Sequence, residues 1–459
     1  MTNKEKPNVI VFFTDQQRWD TTGIHGNPLD LTPHFDQMAK TGTDVHSSFT
    51  CQPVCGPARS SMQTGLYATS TGCYRNEIPL SEQTNTLAHY FKDAGYKTAY
   101  IGKWHLAERD PVPEGQRGGY DYWLGSNTLE FTSDAYDTVL YDNDCQSVKL
   151  PGYRVDALTD EAIRYIDRNQ DDPFFMFLSF LEPHHQNHSE NYPPPNVYKY
   201  RYMNEWIPSD LAALGGVTHH HISGYYGMVK RLDEALGRLM DALKSLQMDE
   251  NTIVLFTSDH GNHFKTRNGE YKRSCHESSI RVPTAFIGPG FVGGGQIQEL
   301  VSLIDLPPTL LDAAGIKVPN TMQGRSILPL LNGRKEEWPQ EVFIQISESQ
   351  VSRAIRTKRW KYAVTAPDKD GWRDACSDHY VEEFLYDLEA DPYELENLIG
   401  YESHLEVSNE LRECLKQRIV EAGEPEPVIQ TAPIRSAGEN GQRRVSIEDY
   451  RKFISNNTT

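Results

Sequence analysis

Four apolar runs, each breaking off into titratable or metal-binding side chains, constrain the fold of this chain more than any other feature. Val9 to Phe13 ends in Thr14-Asp15-Gln16, and Lys97 to Ile101 ends in Gly102-Lys103-Trp104-His105. Phe174 to Phe180 ends in Leu181-Glu182-Pro183-His184-His185, and Thr252 to Thr257 in Ser258-Asp259-His260-Gly261-Asn262. Unbroken runs of β-branched and aromatic residues suit strands buried on both faces of a parallel sheet. Such sheets bind ligands outside the carboxyl ends of their strands. The four endings therefore predict one polar site at one edge of a layered α/β fold. Helical patterns lie between the runs. Thr86 to Ala94 is closed by Gly95, and Met228, Leu232, Leu236, Leu239, Leu243 and Leu246 recur at three- and four-residue steps, as a helix packed on the sheet requires. The expected fold class is α/β, with a large, mostly parallel central sheet flanked by helices.

After roughly residue 335 the texture changes. Val342 to Ile346, Ser352 to Arg356, Trp360 to Val364 and Glu383 to Tyr386 are short strand candidates at hairpin spacing, followed by a helical pattern over Leu405 to Val420. We expect a catalytic α/β domain over residues 1–340 and a smaller α+β subdomain over 341–422. Residues 423–459 are expected to form a tail or arm that wraps the body or a neighbouring copy, an arrangement compatible with a homo-oligomer. The 459 residues carry 45 basic and 64 acidic side chains, a net charge of −19. That balance argues against nucleic acid or an anionic membrane as partner and requires any anionic substrate to find a locally positive pocket. No signal-peptide pattern precedes Val9, and no apolar run is long enough to span a bilayer. Seven scattered cysteines without metal-type spacing read as reduced thiols, so a cytoplasmic location is expected, with a trimmed leader left open.

The stretch Cys51-Gln52-Pro53-Val54-Cys55-Gly56-Pro57-Ala58-Arg59-Ser60-Ser61-Met62-Gln63-Thr64-Gly65 carries further chemistry. Pro57 suits the first turn of a helix, which sets Cys55 at the positive end with Arg59 one turn on. Both features favour a reactive, anionic side chain at Cys55. Taken alone, the stretch is equally compatible with a turn into a core helix that carries an inert thiol. Asp15, Gln16, Asp259 and His260 stand on two strand ends that could lie side by side. Carboxylates, an amide oxygen and one imidazole suit a hard divalent cation such as Ca2+ or Mg2+ rather than structural zinc.

Cys-x-Pro-x-Arg followed by Thr-Gly resembles the signature of the type I sulfatases, members of the alkaline-phosphatase-like superfamily. The resemblance extends through Asn8-Val9-Ile10, Asp15, Gly102 to His105, Pro183-His184, Ser258 to Gly261 and Glu277 to Pro283, and ends in Leu385-Tyr386-Asp387-Leu388, Asp391-Pro392 and Glu396-Asn397-Leu398. It implies an enzyme that hydrolyses a sulfate ester of a small or sugar-like substrate. Its nucleophile would be a formylglycine made from Cys55 by a maturase. The metal ligands would be Asp15, Gln16, Asp259 and His260, with the modified Cys55 completing the shell around Ca2+, or Mg2+. Catalytic roles would fall to Arg59, Lys103, His105, His184 and Lys272. His184, with Lys272, would protonate the leaving oxygen, and His105 would act as the base that releases sulfate.

The chain departs from the family pattern in places. Gln16 stands where many members have a second Asp, Gly56 and Ala58 fill the variable positions of the modification motif, Leu66 replaces a frequent Arg, and His276 an aromatic residue. Asn76 and His263, neighbours of motif residues, are candidate substrate contacts; His188, Arg201, Trp206 and Arg267 are further pocket candidates. His185 is an alternative acid to His184. His219-His220-His221 reads as a solvated turn or pocket wall ahead of the long helix. Two other functions fit the same residues: phosphonate or phosphate ester hydrolysis, and an unmodified protein that binds sulfated ligands without cleaving them.

Overall fold

The computed structural model of the protein describes residues 6–435. The four apolar runs form the strands Asn8–Thr14, Lys97–Lys103, Phe174–Ser179 and Thr252–Ser258, all parallel and adjacent in a ten-stranded sheet. The spatial order is Gly295–Ile297, Thr43–Val45, Ala285–Ile287, Thr252–Ser258, Asn8–Thr14, Phe174–Ser179, Lys97–Lys103, Tyr122–Ser126, Thr138–Tyr141 and Ser147–Leu150. The five central strands are parallel, and antiparallel pairs enter only towards the two edges.

The absence of polar alternation in these strands follows from their two buried faces. Val9, Val11 and Phe13 pack with Ala58 and Met62 of the helix Cys55–Thr64, with Leu87 and Phe91 of Leu87–Asp93, and with Leu306 and Leu310 of Leu306–Ala313. Ile10 and Phe12 pack on the opposite face with Leu158 and Ala162 of Arg154–Arg168 and with Leu232, Leu236, Leu239 and Leu243 of Thr218–Ser245. Successive side chains of a strand point to opposite faces, so each layer takes alternate residues of one run. Each such side chain contributes up to about 2 kcal/mol by leaving water.

Two helix starts differ from expectation. The helix expected near Pro57 begins at Cys55, which puts the thiol in its first turn. The long helix begins at Thr218, so His219 to His221 lie within its first turns, and the His221 ring packs beside Tyr192 and Tyr271 as a wall.

The smaller unit is a five-stranded sheet, Glu341–Ile346, Ser352–Thr357, Trp360–Thr365, His379–Asp387 and Val428–Gln430, covered by the helix Leu405–Glu421. Its last strand comes from the stretch expected as a tail. Val428–Gln430 pairs in parallel with His379–Asp387, and the buried Glu424 forms an ion pair with Arg353 at 2.8 Å. The rest of the expected tail, from residue 436, lies outside the described residues. Among the described residues no helix is long and apolar enough to cross a membrane, and none of the seven cysteines is disulfide-bonded.

Candidate active site

The strand ends do meet. Asp15 follows Thr14 at the end of the first strand and is completely buried. Its Oδ2 accepts from Lys103 Nζ at 2.9 Å and Arg59 Nη2 at 3.0 Å, while Oδ1 lies 3.4 Å from Cys55 Sγ. Asp259 ends the neighbouring strand. Its Oδ1 accepts from the backbone N–H groups of Gln16 at 2.9 Å and His260 at 2.8 Å. Two backbone features aim these side chains. Gln16 and His105 both take left-handed φ values, 68° and 62°, a conformation that costs about 1–3 kcal/mol and collects at functional sites. Gly102 has a φ of 110°, and a Cβ there would come within 1.8 Å of Ser179 O, so only glycine lets the Lys103 strand turn at this point.

Asp15, Cys55, Asp259 and His260 each offer a ligand atom within 4.8 Å of the others. His260 Nδ1 donates to Gly261 O at 2.9 Å, which leaves Nε2 unprotonated and 3.2 Å from Cys55 Sγ. Gln16 Oε1 is buried without a partner, and Asp259 Oδ2 has no hydrogen bond and only the Arg59 guanidinium nearby, at 3.4 Å. Burial and the charge of Asp15 push the Asp259 carboxyl above its ordinary range. Orphaned oxygens, crowded carboxylates and one oriented imidazole fit a bound divalent cation, which would satisfy all of them together.

Cys55 lies at the start of its helix, capped from outside: Gly56 N donates to Asn76 Oδ1 at 2.9 Å. A Cβ at Gly56 would sit 2.9 Å from that same oxygen, which accounts for glycine at a variable motif position. Burial and Asp15 raise the Cys55 thiol pKa, but Lys103, Lys272 and His260 outweigh them and bring it down to about 7. Lys272 Nζ is 2.8 Å from Cys55 Sγ and 3.2 Å from His184 Nε2. His184 Nδ1 donates to His185 O at 2.7 Å, so Nε2 is the acceptor facing Lys272. Burial first, then Lys272, hold the His184 imidazole well below its ordinary value. The same two causes bring His185 to about 3, but its ring stacks on His184 and lies 4.5 Å from the Tyr271 ring, one layer back from the thiol. His105 is drawn down to about 4 by burial and by Lys103, and its Nδ1 has no partner.

The remaining candidates separate. His263 is fully buried and bonds Lys272 O at 3.0 Å through Nε2. Arg267 is held by the carbonyls of Tyr393 and Glu394, Arg201 by Asp30, and His188 lies 3.4 Å from Asp134. Trp206 lines a cavity with Arg18, Trp19 and Arg281 whose wall includes none of the catalytic candidates. His276 packs against the stacked rings of Phe384 and Tyr386, with Nε2 3.2 Å from the Tyr386 hydroxyl.

Three groups carried no signal in the sequence. Glu130 pairs with Lys103 at 3.0 Å, completing its charge balance with Asp15. Ser179 Oγ accepts from Arg59 Nη1 at 2.7 Å, and Tyr192 OH accepts from Gln16 Nε2 at 3.1 Å. Ser179 is the last residue of a strand, where one hydroxyl reads as part of the run; Glu130 and Tyr192 belong to no motif.

The family model for sulfatases matches residues 7–316, and that for the C-terminal part of N-sulphoglucosamine sulphohydrolase matches residues 269–421. An ulvan-active sulfatase of Formosa agariphila is 31% identical over 91% of this chain and 82% of its own length. An arylsulfatase of Clostridium perfringens is 30% identical over 89% of this chain and 94% of its own. A structure solved in complex with its substrate D-glucosamine-2-N,6-O-disulfate superposes with a TM-score of 0.80 at 22% identity, covering 92% of this chain and 99% of that one, which shows the common fold. The chain belongs to the sulfatase family of the alkaline-phosphatase-like superfamily. Its reaction is the hydrolysis of a sulfate ester, and the protein is a sulfuric ester hydrolase.

Proposed function

We propose that the protein is a formylglycine-dependent, Ca2+- or Mg2+-assisted sulfatase acting on a sulfated carbohydrate, with the nucleophile made from Cys55. The observation that carries this reading is the convergence on Cys55 Sγ of Lys272 Nζ, His260 Nε2 and Asp15 Oδ1, at 2.8, 3.2 and 3.4 Å. The thiol occupies the position that the hydroxyls of a hydrated formylglycine would take. Sugar substrates are favoured by the relatives: one acts on ulvan, one is an N-acetylglucosamine-6-O-sulfatase, and one structure holds a glucosamine disulfate. The unpaired cysteines support a reducing, cytoplasmic setting.

The roles follow from charge and proton placement. Asp15, Gln16, Asp259, His260 and the residue made from Cys55 would hold the cation, which supplies positive charge beside the reacting oxygens. Formylglycine, as a hydrated aldehyde, would supply one hydroxyl that bonds sulfur, giving up its proton in exchange for the one passed to the leaving oxygen, and a second through which sulfate is released before water restores the hydrate. Arg59 and Lys103, fixed on Asp15, and Lys272 beside the nucleophile present preorganised positive charge to the sulfuryl oxygens. Lys272 lies next to the unprotonated Nε2 of His184, and this pair delivers a proton to the ester oxygen as the S–O bond breaks. His105, kept neutral, takes a proton from the second hydroxyl. In sum, ester and water become alcohol, sulfate and one proton. Asn76 and His263, expected as substrate contacts, serve better as positioning residues: one caps the nucleophile helix, the other fixes Lys272 from beneath.

The test is the mass of the Cys55 peptide from protein produced with a maturase, together with sulfate release from aryl sulfate and sulfated sugars, with and without chelator. Aldehyde at Cys55 and chelator-sensitive sulfate release, restored by Ca2+ or Mg2+, are expected. Faster turnover of an aryl phosphonate would make it a phosphonate hydrolase. Unmodified cysteine with no sulfate release would make it a binding protein.

A further inference from the structure

A second cluster of metal-ligating side chains lies apart from the catalytic one. His25 sits in a short 3-10 turn after the first strand, Asp44 on the strand Thr43–Val45 next to the sheet's edge, and His46 just beyond that strand. Their ligand atoms all lie within 4.8 Å of one another. The Asp44 carboxylate is divided in its contacts. Oδ2 accepts from Gln296 Nε2 of the edge strand at 2.8 Å, whereas Oδ1 is buried with no hydrogen bond. Facing Oδ1 at 3.3 Å is His25 Nε2, also buried and also without a hydrogen bond; the two side chains are 2% and 1% exposed.

The far side of the imidazole explains the mismatch. His25 Nδ1 lies 2.6 Å from Thr22 Oγ1, and that hydroxyl donates to Trp19 O at 3.1 Å. With its one proton on Trp19 O, Thr22 accepts from Nδ1–H, which leaves Nε2 with a lone pair beside, but out of line with, the carboxylate oxygen. Two buried lone pairs without a shared proton each forfeit their hydrogen bond. A cation between them satisfies both. Two donors on a tetrahedral zinc at about 2.0–2.1 Å stand roughly 3.3–3.4 Å apart, the separation found here. An imidazole fixed through its other nitrogen and a carboxylate fixed through its other oxygen are the usual supports of metal ligands. His46, 32% exposed, supplies the third donor and opens the fourth position to solvent. Arg281 is engaged with His46 O at 2.9 Å and with the face of Trp19.

We propose that His25, Asp44 and His46 bind a divalent cation of the zinc class, clamping the turn that carries His25 to the edge of the central sheet. Two imidazoles among three ligands favour zinc over the hard, oxygen-seeking ions suited to the catalytic cluster.

The full-length protein carrying Cys55→Ala, which removes the thiol from the catalytic cluster, would be stripped of metal, saturated with Ca2+ and titrated with Zn2+ and, separately, Co2+. One bound equivalent of Zn2+ is expected, with intense visible Co2+ absorption of a four-coordinate site. Adding His46→Gln should remove both, with the far-UV dichroism unchanged because His46 is partly exposed. Asp44→Asn, combined in the same way, should do the same. Failure to bind Zn2+ at submillimolar concentration would overturn the proposal and leave a protonated His25–Asp44 pair in its place. Retention of the full equivalent in both variants would overturn it as well.

Discussion

His184 and His185 are the same residue type side by side, and only their surroundings tell them apart. His184 Nε2 faces Lys272 Nζ, which also touches the nucleophile position, while His185 packs against Tyr271. A group that protonates the leaving oxygen matters most when that oxygen is a poor leaving group. His184→Ala should therefore lower kcat/KM on an alkyl or sugar sulfate by about 10²–10⁴-fold, but on nitrophenyl sulfate by less than about tenfold. His185→Ala should lower both equally and modestly. Steady-state kinetics on the two substrate types decide it, and equal large losses for His184→Ala on both would remove it from the acid role. The neighbourhood of Pro183 singled out His184 in the sequence. Glu130 had no such marker: a lone acid in Thr-Leu-Glu-Phe reads as a surface residue, and its burial goes with a pairing to Lys103 at the end of the neighbouring strand.

At the scale of elements, length governs what a sequence reveals. The long strands Asn8–Thr14 and Thr252–Ser258 are buried on both faces and announce themselves as unbroken apolar runs. Thr43–Val45, Ala285–Ile287 and Gly295–Ile297 have only three residues each, too few for any period, and the site containing Asp44 was hidden with them. Caps supplied from elsewhere are equally silent. The helix Pro33–Thr41 receives no side-chain cap from Thr32; instead Asp233 of the long helix accepts from Phe35 N at 2.8 Å and His34 N at 3.1 Å. Burial nevertheless raises the Asp233 pKa to about 7 from an ordinary 3.8, against those bonds. Because the folded state holds this proton more tightly than the unfolded chain, the associated stability is fully present below about pH 4. It is lost as the pH rises through about 7, by at most about 4 kcal/mol. Asp233→Asn has no proton to lose. In urea unfolding at pH 5 and pH 7.5, wild type should therefore lose stability relative to the variant as pH rises. A pH-independent difference would mean that Asp233 is already ionised in the folded protein at pH 5.

Across the whole molecule, the smaller unit packs against the candidate active site. The order of strands and helices, and the change of texture near residue 335, could be read from pattern alone; where the two units touch could not, because those contacts join residues hundreds of positions apart. Gln345 N donates to Cys51 O at 2.8 Å, and Gln52 Nε2 to Ser347 Oγ at 2.7 Å. Glu348, at the turn after the strand Glu341–Ile346, is the hinge of this contact. Its Oε1 accepts from Asn76 N at 2.7 Å, behind the cap of the Cys55 helix, and its carboxylate pairs with Arg273, the neighbour of Lys272. One carboxylate thus braces the segments that carry both Cys55 and Lys272, the proposed nucleophile and proton donor. Glu348→Ala would leave Arg273 with the half-exposed Glu270 as its remaining partner, a cost of about 1.5–3 kcal/mol. It would also let two catalytic groups drift, for which a loss of about 10–100-fold in kcat is expected. KM should change little, because the Glu348 side chain is buried and engaged with Asn76 and Arg273 rather than presented to solvent. Glu348→Gln keeps the acceptor for Asn76 and should recover most of kcat while remaining less stable than wild type. Kinetics and thermal unfolding on the same preparations separate the two effects. A folded Glu348→Ala variant with unchanged kcat would mean that the large sheet positions Cys55 and Lys272 unaided, and that the smaller unit contributes stability alone.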